Sequence, residues 1–174
     1  MTAALRPVAT EAQARIGHIN LSVSDLETSL NFYRDILNMK MTKRIRNEAA
    51  FLAFHSYHHD LCINTWNSKG GVPRPKGTTG LYHFAVSYQA FDALQAACHR
   101  LLAANVEIDD VIDHGTSLSL YVRDPDQNGI ELSWDRPPES WWSADGVLQM
   151  GHRQISLQEF LAVTDPLLAH VPET

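Results

Sequence analysis

The chain has 174 residues, of which 44% are hydrophobic and 20% are charged, and its formal net charge is −6. This length suits one domain, or two small modules that share a core. The acidic balance, without a basic stripe, argues against a nucleic-acid partner. No apolar run approaches the roughly 20 residues of a membrane span, so no membrane partner is expected.

Residues 1–15 are polar and alanine-rich and lack the apolar centre of a signal peptide. We therefore expect an N-terminal tail. The two cysteines, Cys62 and Cys98, do not have the paired spacing of a zinc site. They are predicted to be small buried thiols, which is typical of a protein in the reducing cytoplasm.

The first module, residues 16–66, has the predicted order β-α-β-β-β. A strand over residues 16–23 is followed by a helix that begins with a capping box formed by Ser24 and Glu27. The apolar face of this helix has helical spacing and comprises Leu26, Leu30, Tyr33 and Leu37. Short strands are then predicted over residues 39–45, 49–54 and 60–66.

A glycine- and proline-rich loop, residues 67–79, leads to a second module that repeats this order over residues 80–135. Such a repeat indicates that neither half buries its sheet alone. We predict an α+β fold in which two βαβββ modules form a curved mixed sheet around a metal-centred cavity, within one structural domain. The C-terminal extension, residues 136–174, is expected to leave the sheet and cover the core or a partner subunit. A short helix is predicted over residues 156–163.

Three polar side chains stand among apolar residues in the predicted strands. Two are histidines, one in the first strand of each module, and the third is a glutamate in the last strand of the second module. They are His18, His83 and Glu131. A buried carboxylate is costly unless it is paired or binds a metal. Because the repeat gives the two first strands equivalent places, we expect the three side chains to converge. Two imidazoles and one carboxylate suit Fe(II), with Mn(II) or another divalent metal as alternatives. Hydrogen-bonded core histidines are the competing interpretation.

These residues carry a family resemblance that covers residues 16–135. The two strand starts around His18 and His83, and the ending motif, resemble the vicinal oxygen chelate superfamily. This superfamily includes glyoxalase I, fosfomycin-resistance proteins and extradiol ring-cleaving dioxygenases. The ending motif reads Arg123-Asp124-Pro125-Asp126-Gln127-Asn128-Gly129-Ile130-Glu131-Leu132. The chain looks most like the small single-domain proteins of the catechol 2,3-dioxygenase kind.

The resemblance also implies roles for three further residues. Glyoxalase-type sites draw a fourth ligand from the last strand of the first module, and residues 60–66 have no glutamate at their centre. The histidine pair just before these residues, His58 and His59, is similar to a strand motif of extradiol dioxygenases. In that family the second histidine of the pair, here His59, is the acid–base residue. Tyr121, ten residues before the glutamate, matches the pocket tyrosine of that family. His114 is the pocket histidine, although its spacing to the tyrosine departs from that of the larger members.

The implied function is an Fe(II)-dependent extradiol dioxygenase that opens the ring of an aromatic diol with O2, in aromatic compound catabolism. The resemblance also implies a homodimer. One alternative is a glyoxalase-like isomerase or a fosfomycin-resistance-like thiol transferase, and another is a bleomycin-resistance-like binding protein that needs no metal. For the single residues, the competing interpretations are an exposed strand start for His59, a core position for Tyr121 and a turn for His114. The other histidines are assigned to the surface or tail: His55, His99, His152 and His170.

Overall fold

The structure is a computed structural model that describes residues 15–167, and it confirms an α+β fold with two mixed sheets. The predicted N-terminal tail lies outside the described residues except for Arg15, as do residues 168–174 of the C-terminal extension, which include His170. Within residues 15–167, no helix combines the length and the apolar character that crossing a bilayer requires.

The first sheet has four strands in the order β1-β4-β3-β2, with β1 parallel to β4 and the other neighbours antiparallel. Its strands are β1 (Ile19–Ser22), β2 (Lys40–Ile45), β3 (Ala49–Ala53) and β4 (Leu61–Asn64). Helix α1 (Leu26–Leu30) follows β1 and continues as a π-helix (Asn31–Ile36). The predicted β-α-β-β-β order is therefore present in this half.

The N-terminal cap of α1 is Asp25 and not the predicted Ser24. The Asp25 carboxylate accepts a hydrogen bond from the backbone N–H of Thr28 at 2.8 Å. The backbone N–H of Ser24 instead donates to the Asp126 carboxylate at 3.0 Å. Serine and aspartate are equally good N-terminal caps. Because the two residues are adjacent here, the sequence alone does not decide which of them caps the helix.

The second sheet has five strands in the order β5-β8-β7-β6-β9, with β5 parallel to β8. Its strands are β5 (His83–Tyr88), β6 (Ile108–Asp113), β7 (Ser117–Arg123), β8 (Gly129–Asp135) and β9 (Arg153–Gln154). Helix α2 (Phe91–Ala103) packs against β5 and β8. A 3₁₀-helix (Pro138–Ser140) and helix α3 (Leu157–Ala162) lie in the extension, where α3 confirms the predicted short helix.

The fifth strand corrects the prediction that the extension leaves the sheet. Strand β9 pairs antiparallel with β6, Arg153 opposite Asp113 and Gln154 opposite Ile112. The Gln154 side chain also donates to the Asp110 carboxylate at 2.7 Å. A strand of two residues is too short to show a two-residue period, so the sequence pattern could not reveal it.

One hydrophobic core joins the helix-facing sides of both sheets. In the second sheet, Leu120 and Leu132 are fully buried in this core. Because side chains alternate along a strand, Tyr121 and Glu131 lie on the opposite face of the same strands. The face that carries the predicted site residues therefore looks away from the shared core.

The Asp124 turn of the ending motif joins the two halves of the chain. The buried Tyr33 hydroxyl donates to the Asp124 carboxylate at 2.6 Å. The same carboxylate accepts from the backbone N–H groups of Asp126 and Asn128. Burial raises the pKa of both Asp124 and Tyr33. The first part of the motif, around Asp124, therefore has a structural role. Its last part, around Glu131, contains the candidate site residue.

Candidate metal centre and adjoining cavity

His83 and Glu131 meet on the second sheet because β5 and β8 are parallel neighbours. His83 Nε2 lies 3.1 Å from Glu131 Oε2. The other carboxylate oxygen, Oε1, accepts a hydrogen bond from the hydroxyl of the fully buried Ser119 at 2.7 Å. The Glu131 carboxylate is thus held by β7 on one side and faces an imidazole on the other.

The chemistry of this pair fits a divalent metal. Two donors that each bind one ion at about 2.1 Å lie roughly 3 Å apart when they are neighbours in its coordination shell. The 3.1 Å separation of His83 Nε2 and Glu131 Oε2 agrees with that distance. His83 Nδ1 is buried without a hydrogen-bond partner among residues 15–167, which leaves Nε2 as the atom that meets the carboxylate. The structure therefore brings together two of the three side chains predicted to be ligands.

Tyr121 and His114 form a second pair beside the first. The Tyr121 hydroxyl lies 2.8 Å from His114 Nε2, and the rings of Tyr121 and His83 are 5.5 Å apart. Burial and the nearby charge of Glu131 raise the pKa of Tyr121 well above its ordinary value, so its hydroxyl stays protonated at neutral pH. His83, Tyr121, His114 and His152 all line one cavity of about 270 Å³.

The other predicted residues, His18 and His59, lie together on the first sheet. Their ring centroids are 4.5 Å apart. His59 Nδ1 is 2.6 Å from His58 Nδ1. The centroid of the His59 ring lies 5.0 Å from that of Phe51, and the two rings are nearly perpendicular. Burial, together with the two neighbouring imidazoles, lowers the pKa of His59. His59 is therefore neutral near pH 7 and has a nitrogen lone pair that accepts a proton.

The expected convergence of all three ligands within one chain does not occur. No group of three His, Cys, Asp or Glu side chains within residues 15–167 is placed to hold a metal ion. His18 stays with the first sheet, while His83 and Glu131 stay with the second. The repeat gives the two first strands equivalent positions in their own sheets. It does not make the two sheets face each other, because both pack their helix-facing sides into a shared core.

His152 lines the cavity, although the sequence prediction assigned it to the surface or tail. The His152 ring lies 5.8 Å from that of His114. The short strand β9 brings it there, and no local sequence signal marks that strand. Ser119 was also missed. It lies two residues before Tyr121, on the same face of β7, so strand alternation alone could have identified it.

If His83 and Glu131 hold Fe(II) as predicted, replacing Ser119 by alanine should weaken Fe(II) binding about 10- to 100-fold, because loss of a group that orients a metal ligand typically has that effect. Anaerobic titration with Fe(II) measures the affinity. Ser133→Ala is the matched control, since Ser133 lies opposite Ser119 in the register of β7 and β8. Equal affinities for the Ser119→Ala variant and the wild type would show that the hydroxyl does not orient the ligand.

Known proteins resemble this chain in sequence and in fold. A curated relative, the catechol-2,3-dioxygenase of Bacillus subtilis (strain 168), is 35% identical over 126 residues, which cover 72% of this chain and 43% of the relative. This chain thus spans less than half the length of that relative. A lactoylglutathione lyase of Escherichia coli O157:H7 is 30% identical, and the match covers 68% of this chain and 90% of the lyase.

Among solved structures, a glyoxylase/bleomycin resistance protein/dioxygenase domain from Frankia sp. EAN1pec matches with a TM-score of 0.60 and 23% identity. The match covers 71% of this chain and 98% of that domain, and it supports the fold alone. Residues 15–132, well over half of the chain, match one sequence family as a whole. The chain therefore belongs to the Glyoxalase/Bleomycin resistance protein/Dioxygenase superfamily.

Proposed function

We propose that the chain is an Fe(II)-dependent extradiol dioxygenase that opens the ring of an aromatic diol with O2. The observation that carries this proposal is the 3.1 Å approach of His83 Nε2 to Glu131 Oε2, beside the hydrogen-bonded pair of Tyr121 and His114. The 35% identity to a catechol-2,3-dioxygenase supports the same reaction class.

We further propose that two copies of the chain complete each site. Strands β1 and β5 are both edge strands, so each has one side free to pair or pack against another chain. His18 and His59 lie just before strands β1 and β4 of the first sheet. His83, Glu131, Tyr121 and His114 belong to the second sheet. In a twofold dimer, the first sheet of each copy can lie over the second sheet of the other copy. The dimer then has two sites, and each site combines the histidines of one copy's first sheet with the residues of the other copy's second sheet.

His18, His83 and Glu131 would hold the ion, which would supply Lewis-acid and redox chemistry for an aromatic diol and O2. The chain's own residues handle the protons and the orientation of the substrate. The neutral His59 imidazole accepts a proton from a diol hydroxyl. The hydrogen-bonded pair of Tyr121 and His114 forms a polar wall of the cavity that orients the substrate.

Replacing His59 by alanine should leave the bound metal in place and lower turnover about 10²- to 10⁴-fold, the usual contribution of a general acid–base residue. Metal analysis and oxygen uptake measure the two effects separately. His55→Ala is the control, because the His55 side chain is 73% exposed. If His59→Ala removed the metal instead, His59 would be a ligand and the assignment of roles would be wrong.

The activity itself is tested by loading the full chain with Fe(II) without air and then adding catechol or 2,3-dihydroxybiphenyl followed by air. We expect oxygen uptake and a yellow ring-opened product. Metal binding at the site with no turnover of either diol, but with turnover of a hemithioacetal or a thiol substrate, would reject the proposal in favour of an isomerase or a transferase.

The second candidate function is a glyoxalase-like isomerase. The match to 90% of a lactoylglutathione lyase favours it. Against it, strand β4 carries Leu61, Cys62, Ile63 and Asn64 and so has no carboxylate to serve as a fourth ligand. The Asn64 side chain is also already bonded to Asn20 at 2.8 Å. The hemithioacetal arm of the activity test distinguishes the two candidates.

A further inference from the structure

The C-terminal extension contacts the site directly through residues 151–155. The backbone N–H of Gly151 donates to the carbonyl of His114 at 2.8 Å. In return, His114 Nδ1 lies 3.0 Å from the carbonyl oxygen of Gly151. Strand β9 and the bond from the Ile155 N–H to the Val111 carbonyl then fasten the segment along β6. This segment lies beyond residues 15–132, the part of the chain that matches the superfamily.

The chemistry of these contacts fixes the proton on His114. A carbonyl oxygen only accepts hydrogen bonds, so the contact with Gly151 requires the proton to be on Nδ1. In a neutral imidazole, Nε2 then carries only a lone pair. His114 Nε2 therefore accepts the hydrogen bond from the Tyr121 hydroxyl at 2.8 Å. Without the Gly151 carbonyl, either nitrogen could carry the proton and the direction of this bond would be undefined.

The segment is anchored independently of this hydrogen bond. Arg153 donates to the buried Asp113 carboxylate at 2.9 Å, and the Gln154 side chain donates to Asp110 at 2.7 Å. Asp113 immediately precedes His114 in the chain. The anchors therefore hold the Gly151 carbonyl in place beside the imidazole, and the imidazole in turn sets the Tyr121 hydroxyl at the wall of the cavity.

We propose that the Gly151 carbonyl, held by strand β9, positions His114 as its Nδ1–H tautomer so that Nε2 accepts the Tyr121 hydroxyl. The C-terminal extension is then a positioning element of the site and not only a cover over the core. This inference rests on the proposed function for its effect on turnover, whereas the tautomer itself is a property of the chain without substrate.

The first test is a long-range ¹H–¹⁵N correlation spectrum of the metal-free full chain with ¹⁵N-labelled histidine. The signals of His114 are assigned by their absence from the His114→Asn variant. We expect a single tautomer protonated on Nδ1. A proton on Nε2 would overturn the inference even if dioxygenase activity had been demonstrated, so the two failures are distinguishable.

The second test compares His114→Asn with His114→Gln in the Fe(II)-loaded full chain. The asparagine amide reaches the place of Nδ1 and keeps the bond to Gly151, but it does not reach Tyr121. We expect an unchanged melting temperature and a turnover at least about tenfold lower. The glutamine amide reaches the place of Nε2 and loses the bond to Gly151, so its melting temperature should fall as well. Wild-type turnover in the asparagine variant would show that His114 only fastens the extension.

The third test loosens the segment without changing the site residues. The double variant Arg153→Met, Gln154→Ala removes both side-chain anchors. We expect its spectrum to show a mixture of the two His114 tautomers, with a lower kcat and a nearly unchanged KM. A single Nδ1–H tautomer together with wild-type kcat would show that strand β9 does not position His114.

Discussion

Mixing the His18→Ala and Glu131→Ala variants should restore about a quarter of wild-type turnover, although each variant alone is inactive. Random pairing of equal amounts makes half of the dimers mixed. Each mixed dimer contains one site with both changes and one site with neither, provided that His18 and Glu131 of a site come from different copies. Oxygen uptake with an aromatic diol, after unfolding and refolding the mixture together, measures the recovery.

The matched control is a mixture of His18→Ala with His59→Ala. Both changes affect the same half of the site, so neither site of the mixed dimer is intact and no recovery is expected. Equal behaviour of the two mixtures, with no recovery in either, would show that each chain builds its site from its own residues. The separation of His18 from His83 in the single chain would then require a rearrangement within that chain.

Replacing Arg136 by methionine should cost about 3 kcal/mol of unfolding free energy, because the buried Asp113 carboxylate then keeps only the partly exposed Arg153 as its charged partner. The side chains of Arg136 and Asp113 are 3% and 1% exposed and lie 2.8 Å apart. Arg136 also donates to the carbonyl of Gly115 at 3.0 Å. Denaturant unfolding monitored by fluorescence measures the change.

Two variants check the cause of this loss. Arg153→Met removes the other arginine on Asp113, but that side chain is 42% exposed, so water compensates and we expect a loss of about 1 kcal/mol. Adding Asp113→Asn to Arg136→Met should recover part of the loss, because the buried charge that Arg136 balances is then absent. A double variant as unstable as the sum of the two single variants would contradict the pairing.

The same carboxylate should make stability depend on acid pH. Burial opposes the ionisation of Asp113, but hydrogen bonds from Arg136, from the Gly115 N–H and from Arg153 outweigh it and lower its pKa. The stability that Asp113 contributes is therefore fully present above the ordinary aspartate pKa and is lost as the pH falls through the lowered folded-state pKa. The stability difference between wild type and Asp113→Asn should shrink over that acid range.

Much of the fold could be predicted because its signals are local. Alternating apolar residues marked eight of the nine strands of residues 15–167, and the helix faces had regular spacing. The repeated order of elements then led to the two sheets. Strand β9 was missed because its pairing depends on side-chain anchors at Asp110 and Asp113, which are more than 39 residues away in sequence.

The sequence predicted the approach of His83 to Glu131, which the structure shows, but it also predicted that His18 joins them, which residues 15–167 do not show. The pairing of His83 with Glu131 follows from the parallel order of first and last strands within one module, which is a property of the module itself. The position of His18 relative to His83 depends on how the two sheets pack against each other. That packing is set by the core residues that the two halves of the chain share. A pattern of strands and helices does not specify which faces of two sheets meet.

The affinity for Fe(II), measured without air in the wild type and in the variants His18→Ala, His83→Ala and Glu131→Ala, tests directly whether these three side chains hold the metal. We expect the wild type to bind about one ion per chain and each variant to bind at least about 100-fold more weakly, because each loses a ligand. Wild-type affinity in the His83→Ala and Glu131→Ala variants would contradict the claim that these side chains hold the metal.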